Sequence, residues 1–462
     1  MSHFAEISLI LTTILSGDII ATINFGVLMI INFVIKNCAC FKAETCLSMQ
    51  AGPERDLDSK LAIFGEKSRP SKLLPMAAIY GNNATGKTQF VKAVEFIRNF
   101  VLGRYNRGVL PVVPFLFDET TKELPTYFSI QFLMHDIVYE YEVELSAESV
   151  FVEKLSFYTS RGLVRHQLFN RTKQRVEVFP DWGDEAFITY SKTLKLRPNI
   201  SFLALSCELT RTSEHVKNVH VWFAHNLCII TPDTHYNGFE DFCPNGVMHK
   251  KTLEYLEEFD NGIKNFKQVS VSPTILPDAI RIEIESSLKP GRTARYNSPE
   301  GDLFFVNRLR NGDLNVTRVF TVHNGGRGRD VSLRMSAESD GTRRMLDLIP
   351  AFSNFAGGNC ECVYVVDELD RSLHSSITIK FLKDFLLACS SNTRQQMIFT
   401  THDLLTMDQK LLRRDSMYIA DKTMDGVASL TDIRQFRGLR KDTNVRDRYL
   451  EGRFGGIARA LV

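Results

Sequence analysis

The sequence predicts an α/β fold in which a parallel sheet carrying a ligand site is joined to an antiparallel β meander. Three observations support this fold class. An apolar run at 73–80 leads into a glycine-rich loop and then into a helical pattern. Two further apolar runs, near the other end of the chain, stop at charged or polar residues. Runs at 127–133, 137–145 and 150–158 alternate as antiparallel strands do, with short polar turns between them.

The glycine-rich loop is a phosphate-binding P-loop, because Gly81–Thr88 reads G-x-x-x-x-G-K-T. The glycines allow a tight turn that points several backbone N–H groups at a β-phosphate. Lys87 would reach the β- and γ-phosphates, and the Thr88 hydroxyl would be a ligand of Mg²⁺. The nucleotide-binding positions predicted here are Gly81, Asn82, Asn83, Gly86, Lys87 and Thr88.

The two later strands end in residues that a P-loop needs. Val363–Val366 precedes Asp367 and Glu368, of which one would hold Mg²⁺ through water and the next would polarise the attacking water. Acidic pairs after strands also serve as helix caps. Gln396–Thr401 leads to His402, which would sense the γ-phosphate or be a loop histidine without a role. The order of these motifs predicts one parallel sheet whose carboxyl edge gathers a nucleotide.

A further turn, Ser339–Thr342, precedes a helical pattern with apolar residues at 345, 346, 348 and 349. Its side chains fit a helix cap, and the N–H groups of the cap are free to face an anion. An ordinary cap without a ligand is the alternative.

Composition sets looser limits. A chain of 462 residues predicts two or three domains, and a net charge of +2 gives no overall electrostatic argument for nucleic acid binding. The nine scattered cysteines fit free thiols in a reducing cytoplasm. The pairs Cys38/Cys40 and Cys360/Cys362 have C-x-C spacing, which favours buried thiols over the C-x₂-C pattern of zinc ligands.

Residues 7–34 are mostly apolar, with Asp18 as the only charge. A membrane span is disfavoured by that acidic residue and by the lack of a flanking basic cluster, and a signal peptide by the lack of a basic segment before the apolar run. We therefore expect 1–28 to be an extension without a catalytic role, with Met29 as the natural start of a soluble domain and 29–36 as its first strand.

The middle of the chain is less regular. Its segments 184–197, 199–210 and 213–223 have mixed helical character, and 250–259 is predicted to be a helix. Segments 279–285 and 303–308 are predicted to be strands, and 314–323 a strand-turn-strand.

These motifs together resemble the ABC-type ATPase heads of SMC and RecF proteins, and more narrowly the AAA-family ATPases of bacterial abortive infection and phage defence. The resemblance covers both ends of the chain. The family pattern is a head split by a variable insertion, which would correspond to the middle of this chain. The matching segments are MIINFVIKN at 29–37, AAIYGNNATGKT at 77–88, ESDGTRRMLDL at 338–348, VYVVDELDRSLH at 363–374, IFTTHDLLTMD at 398–408, LLRRDSMYIADK at 411–422 and YLEGRFGGI at 449–457.

The resemblance implies a role for each matching residue, with ATP and Mg²⁺ as ligands. Lys87 and Thr88 would form Walker A, Asp367 would be the Walker B ligand of Mg²⁺, and Glu368 the catalytic base. Asp370 would lie in the D-loop and His402 would be the switch histidine. Ser339, Gly341 and Thr342 would form the signature motif, which contacts ATP held by a second subunit. The implied domains are a 29–170 lobe with Walker A, a 171–330 insertion that is partly helical, and a 331–462 lobe with the remaining motifs.

One departure concerns the loop after the first strand. Relatives tend to carry Asn-Phe-Arg-Ser-Phe there, whereas this chain reads Asn37-Cys-Ala-Cys-Phe41. Ala39 cannot supply the basic side chain that often lies near the nucleotide, and Lys42 is the candidate replacement.

The resemblance implies paired heads, as a homodimer or a higher homo-oligomer, that sense phage infection and control a separately encoded effector, a nuclease or other toxin. PARIS and Septu systems have ATPases of this style, and a phage protein would be the trigger. No acidic pattern of a TOPRIM nuclease follows His402. The alternative is a RecF-like repair ATPase, whose DNA surface would use Arg292, Arg295, Arg308, Arg310, Arg327 and Arg329.

Overall fold

The structure is a computed structural model that describes residues 28–64, 71–105, 108–159, 164–209, 212–232, 262–291, 293–345, 347–348, 362–392, 394–436, 439 and 443–455. These residues belong to two compact units. The larger unit holds 28–232 and 362–455, and the smaller unit holds 262–348. The predicted extension 1–28, apart from its last residue, and the predicted helix 250–259 lie outside the described residues.

In the first part of the larger unit, residues 28–232, the described strands are β1 (Leu28–Lys36), β2 (Thr45–Ser48), β3 (Ala62–Phe64), β4 (Ser71–Leu73), β5 (Met76–Tyr80), β6 (Thr126–Met134), β7 (Ile137–Leu145), β8 (Val150–Tyr158), β9 (Arg165–Thr172), β10 (Arg175–Val178) and β11 (Leu227–Ile230). The smaller unit contributes β12 (Ile263–Val271), β13 (Thr293–Asn297), β14 (Leu303–Arg308), β15 (Leu314–Asn324) and β16 (Asp330–Arg334). The larger unit ends with β17 (Val363–Val366), β18 (Gln396–Thr401), β19 (Met417–Lys422) and β20 (Ala428–Asp432). The α-helices with both ends within the described residues are α1 (Lys87–Val101), α2 (Glu119–Lys122), α3 (Glu185–Ser191), α4 (Phe202–Cys207), α5 (Glu214–Val221), α6 (Asp278–Ser287), α7 (Ser375–Ala388) and α8 (Val445–Leu450). Residues 340–345 and 347–348 are also helical.

A six-stranded sheet forms the centre of the larger unit, in the order β11-β17-β18-β5-β19-β20. Its first five strands run parallel, and β20 is antiparallel to β19. Every residue of β5, β17 and β18 is buried, as expected for a parallel sheet covered on both faces. The predicted parallel sheet, with its three motif-bearing strands, is therefore confirmed. The edge strand β11 was not predicted.

The predicted meander is also confirmed, as β6, β7 and β8 of a seven-stranded antiparallel sheet. The order of this sheet is β10-β9-β8-β7-β6-β1-β2, so it also contains the predicted first strand. Burial alternates along β7, because one sheet face packs on the core and the other is solvated.

The larger unit continues past the predicted boundary at residue 170. The strands β9 and β10 extend the meander, and the segments with mixed helical character form α3, α4 and α5 in the same core. Trp222, just after α5, stacks on Phe132 of β6 with ring centroids 4.1 Å apart. The predicted insertion boundaries of 171 and 330 thus differ from the division seen here, since the smaller unit also contains 331–348.

The smaller unit is an antiparallel sheet of β12 to β16 with α6 against it. The prediction of a strand at 279–285 is wrong, because this segment lies within α6. Alternating isoleucines suggested a strand, but only Ile280 and Ile284 are buried, in step with Leu276 and Leu288, whereas Ile282 is 62% exposed. A spacing of four residues on one buried face is that of a helix.

The prediction of a strand-turn-strand at 314–323 is wrong as well. The segment is one continuous strand, β15, because it pairs with β12 along one edge and with β14 and then β16 along the other. The predicted strand at 303–308 is confirmed as β14. None of the described helices is both long and apolar enough to cross a membrane.

Candidate nucleotide-binding site

The P-loop leaves the carboxyl end of β5, which lies between β18 and β19. Gly81 has φ +155°, and a Cβ there would lie 2.4 Å from the carbonyl oxygen of Ala420 in β19. Gly86 has φ +106°, and a Cβ there would lie 2.9 Å from Sγ of Cys40. Both positions therefore require glycine, because other segments of the same protein approach the loop too closely for any side chain.

Lys87 begins α1 and turns its side chain back into the loop. Its Nζ donates to the carbonyl oxygens of Gly81 and Asn82, at 2.7 and 2.8 Å. Burial lowers the pKa of Lys87 to about 8, while the carboxylates of the turn 367–370 act to raise it. An ammonium group held in this place is a strong donor to an anion that enters the loop.

The amino terminus of α1 has no side-chain cap of its own. Gly86 occupies the cap position, no side chain accepts a capping hydrogen bond there, and no acidic residue lies in the first turn. A 15-residue helix thus presents the positive end of its dipole and its first N–H groups beside the P-loop. This is the arrangement in which helix termini bind phosphate.

The acidic pair follows β17 as predicted. Asp367 is 1% exposed, and its Oδ1 accepts a hydrogen bond of 2.6 Å from Oγ1 of Thr400 in β18. The same hydroxyl oxygen accepts from the amide of Glu368 at 2.7 Å. Glu368 has φ +49°, a left-handed backbone conformation. Thr400 was not predicted as a site residue, yet it fixes both acidic residues through one hydroxyl.

His402 follows β18 and faces the same carboxyl edge. Its amide donates to Oδ2 of Asp370 at 3.2 Å, so Asp370 positions the histidine backbone. Burial lowers the pKa of His402, and so does the positive charge of Lys87, against the opposing effect of the nearby carboxylates. These effects favour a neutral imidazole at pH 7.

These groups border one cavity of about 590 Å³. The predicted residues that line it are Asn83, Gly86, Lys87, Thr88, Glu368 and His402. Asp367 is buried and does not line the cavity, but its negative charge is close enough to Lys87 to act on the pKa of that amine. The structure therefore brings the P-loop, the acidic pair and the histidine to one sheet edge.

The predicted signature residues belong to the smaller unit. The Ser339 hydroxyl accepts from the amide of Thr342 at 3.1 Å and lies 2.9 Å from its Oγ1. Residues 340–345, which include Gly341, are helical. The expected helix cap is thus present at Ser339, and the contact of this motif with a nucleotide stays a prediction.

Several lining residues were not predicted. The cavity is also bordered by the turn 38–40, by 111–113, by Phe117 and by Lys422 at the end of β19. Cys38 and Cys40 are buried free thiols, as expected. Lys42, the candidate replacement for a basic side chain at Ala39, does not line the cavity, because its amine forms a 2.5 Å ion pair with Asp118.

Two of the arginines predicted to bind DNA have other partners. Arg295, whose side chain is 10% exposed, lies 3.1 Å from a carboxylate oxygen of Asp347. Arg308 donates to the carbonyl oxygen of Leu288 at 2.6 Å. These two side chains serve the interior of the smaller unit and weaken the case for a basic surface there.

The fold and the site together define a P-loop nucleotide-binding ATPase domain. The chain belongs to the family described as "AAA domain, putative AbiEii toxin, Type IV TA system", whose sequence profile matches residues 76–408. The predicted AAA-type ATPase with an abortive-infection relationship is therefore confirmed at the level of the family. A search of curated proteins finds no match to this chain.

Two solved structures are similar to this chain at low sequence identity. One is an SMC head bound to the C-winged helix domain of ScpA, which is 13% identical over 87% of this chain and 97% of that chain, with a TM-score of 0.37. The other is the SMC head domain from Thermotoga maritima, 13% identical over 87% of this chain and 98% of that chain, with a TM-score of 0.34.

Proposed function

We propose that the chain binds and hydrolyses ATP with Mg²⁺, and that this cycle controls a partner effector in an anti-phage abortive-infection system. The observation that supports the enzymatic part is the convergence of Lys87, Glu368 and His402 on one cavity beside the uncapped start of α1. Phosphoryl transfer to water uses a cation at the phosphates and a residue that orients or activates the attacking water. Lys87 fits the first role, and Glu368 and His402 fit the second.

The residues present fit Mg²⁺ and a triphosphate. Thr88 and Asp367 would hold the ion, and Mg²⁺ would neutralise charge on the phosphates. Among the described residues no group of three or more His, Cys, Asp or Glu could hold a metal by itself. That arrangement suits Mg²⁺, which is commonly bound by one or two protein groups together with phosphate oxygens.

The protein groups would divide the work. Lys87 would donate to phosphate oxygens in place of the loop carbonyls that it now contacts, and Glu368 would accept a proton from the attacking water. The Glu368 carboxylate lies 3.6 Å from the guanidinium of Arg371, a half-exposed cation. Neutral His402 would orient water or the γ-phosphate.

In the proposed cycle two copies of the chain pair, and the Ser339–Thr342 turn of each contacts the nucleotide of the other. Hydrolysis through Glu368 would separate the pair and change its hold on an effector. The family's association with toxin–antitoxin systems supports this context.

Glu368→Gln tests the enzymatic proposal. Loss of a general base predicts a turnover rate lower by about 100-fold or more, with ATP still bound. ATP should then hold the variant as a dimer in light scattering, and a pull-down from native cells should recover the effector. Glu119→Gln, which changes an exposed carboxylate paired with Lys122, is the matched control and should behave as wild type. Unchanged turnover in Glu368→Gln would remove the proposed base.

A second candidate is that this chain is itself the toxin, which the description of its family as an AbiEii-type toxin favours. Expression of the chain alone in cells that lack its neighbouring genes separates the two. Growth arrest that Glu368→Gln abolishes would indicate a toxin, whereas harmless expression and an effector in the pull-down would support the control role.

A further inference from the structure

The nucleotide cavity has two chemically different ends. We define the phosphate end as Gly86, Lys87, Thr88, Glu368 and His402, where charges and backbone dipoles gather. The apolar end is formed by Ala39, Phe96, Val112, Val113, Phe117 and Phe128. The side chains of the apolar end carry no nitrogen or oxygen. Two other polar side chains line the cavity from α1, Gln89 and Lys92, and both precede Phe96 along the helix, nearer its P-loop end.

Phe117 is the unusual member of the apolar end. Phe117 is 72% exposed, whereas Phe115 is 1% exposed, although their ring centroids lie only 5.7 Å apart. The Phe117 ring rests on the β19–β20 hairpin, where a Cβ on Gly426 would lie only 3.0 Å from it. One side of the ring is therefore supported while much of its surface remains open to solvent.

The apolar end is fixed in place by hydrogen bonds, of which two are buried. The amide of Ala39 donates to the carbonyl oxygen of Val113 at 2.8 Å. The amide of Phe115 donates to Oδ1 of Asn37 at 3.0 Å, and Nδ2 of the same buried asparagine donates to the carbonyl oxygen of Thr121 at 2.9 Å. Asn37 thus ties this wall to the end of β1, so that the wall is ordered before any ligand binds.

We propose that the apolar end binds the nucleobase of the nucleotide, with Phe117 stacking on the base. This inference rests on the proposed function, because it assumes that the phosphate end holds a triphosphate. Continuity of one cavity with the P-loop favours this occupant, and base–aromatic stacking is a strong contact for any base.

The base is held by its faces and not by its edges. Three of the backbone N–H groups that border the apolar end are engaged within the protein. Cys38 donates to Phe41, Ala39 to Val113 and Val112 to Leu110. Pro111 has no N–H group to offer. Discrimination between bases needs hydrogen bonds to base edges, so ATP and GTP should bind with affinities within about tenfold of each other.

Calorimetric titration with the slowly hydrolysed analogues AMP-PNP and GMP-PNP, and with inorganic tripolyphosphate, tests the inference. Phe117→Ala should bind AMP-PNP about tenfold more weakly, the effect of losing one stack, and tripolyphosphate unchanged. Phe117→Trp should retain the affinity of the wild type. Leu116→Ala, which removes a neighbouring side chain that is 52% exposed and outside the cavity lining, is the matched control and should change neither affinity.

The outcomes separate the two proposals. If wild-type protein binds neither AMP-PNP nor tripolyphosphate, the proposed function fails. If it binds AMP-PNP and Phe117→Ala binds it equally well, or weakens both ligands alike, only the nucleobase inference fails. A preference above about 100-fold for AMP-PNP over GMP-PNP would overturn recognition by base faces. If Phe117→Ala leaves nucleotide affinity unchanged and instead breaks an oligomer, the exposed ring serves a second copy of the chain.

Discussion

The two ends of the nucleotide cavity are built in different ways. The phosphate end is made mostly of residues that are contiguous in sequence and that follow directly from the ends of β5, β17 and β18. The apolar end takes Ala39 from the turn after β1, Phe96 from α1, Val112, Val113 and Phe117 from the loop between α1 and α2, and Phe128 from β6. Hydrogen bonds between the turn and the loop, and the packing of Phe117 on the hairpin at Gly426, set its shape. The positions of the residues at the phosphate end are therefore set by the ends of the strands, and those at the apolar end by contacts between distant segments of the chain.

The largest expected effect comes from removing the cation of the phosphate end. Lys87→Met keeps the side-chain stem and removes the charge, so affinity for both AMP-PNP and tripolyphosphate should fall on the order of 100-fold. Equal losses for the two ligands would show that Lys87 acts at the phosphate end alone. Loss of AMP-PNP binding with tripolyphosphate binding retained would contradict the division of the cavity.

The same variant should be more stable without nucleotide. The pKa of Lys87 is about 8 in the folded protein, below its ordinary value of 10.5, so burying the charged amine costs stability at every pH below about 8. That cost is relieved as pH rises from about 8 to 10.5. Lys87→Met should accordingly raise the thermal midpoint at pH 7, as expected where function and stability conflict.

The difference between the ends also explains what the sequence could predict. G-x-x-x-x-G-K-T, Asp367-Glu368 and His402 are local signals, because a strand end and a short loop fix their positions. Phe117 gave no such signal, since nothing in its own segment indicates that it meets the hairpin at Gly426. The position of Thr400, two residues before His402, could have predicted its contact with the acidic pair, because a side chain at the end of β18 must lie beside the end of β17.

The smaller unit teaches the same lesson about patterns. The isoleucines of α6 satisfy both a strand period and a helix period, and only packing of Ile280 and Ile284 in the core of this unit decides between them. Likewise, the single strand β15 depends on partners such as β12, which a local reading of residues 314–323 does not contain.

Thr400→Val sharpens the comparison within the phosphate end. It removes the hydroxyl that donates to Asp367 and accepts from the amide of Glu368, while keeping the shape of a fully buried side chain. Loss of such a supporting partner should weaken Mg²⁺ binding by about 10- to 100-fold, seen in a Mg²⁺ titration of hydrolysis at saturating ATP. Thr401→Val, a change at the next buried position of β18, should leave the Mg²⁺ dependence unchanged.

The pH dependence of binding tests the phosphate end by titration. A bound triphosphate raises the pKa of Lys87, so affinity should be level from pH 7 to about 8 and decrease above it as the free protein loses this proton. Titrations at pH 9 should show AMP-PNP and tripolyphosphate both bound about tenfold more weakly than at pH 7. Lys87→Arg should give a level profile, because a guanidinium does not titrate in this range. A level profile in the wild type would contradict a titrating Lys87.

The smallest effect lies where the two ends meet. Lys422 ends β19, which runs parallel to β5, so it reaches the P-loop edge of the sheet and lines the cavity. It is therefore a candidate for the role of the basic side chain that is missing at position 39. An exposed cation near phosphate contributes little, and Lys422→Ala should weaken AMP-PNP and tripolyphosphate by about threefold each, less so at high salt. Lys42→Ala is the matched control, since its amine is committed to Asp118. A larger loss with Lys42→Ala than with Lys422→Ala would show that the nearer residue in sequence replaces the missing arginine after all.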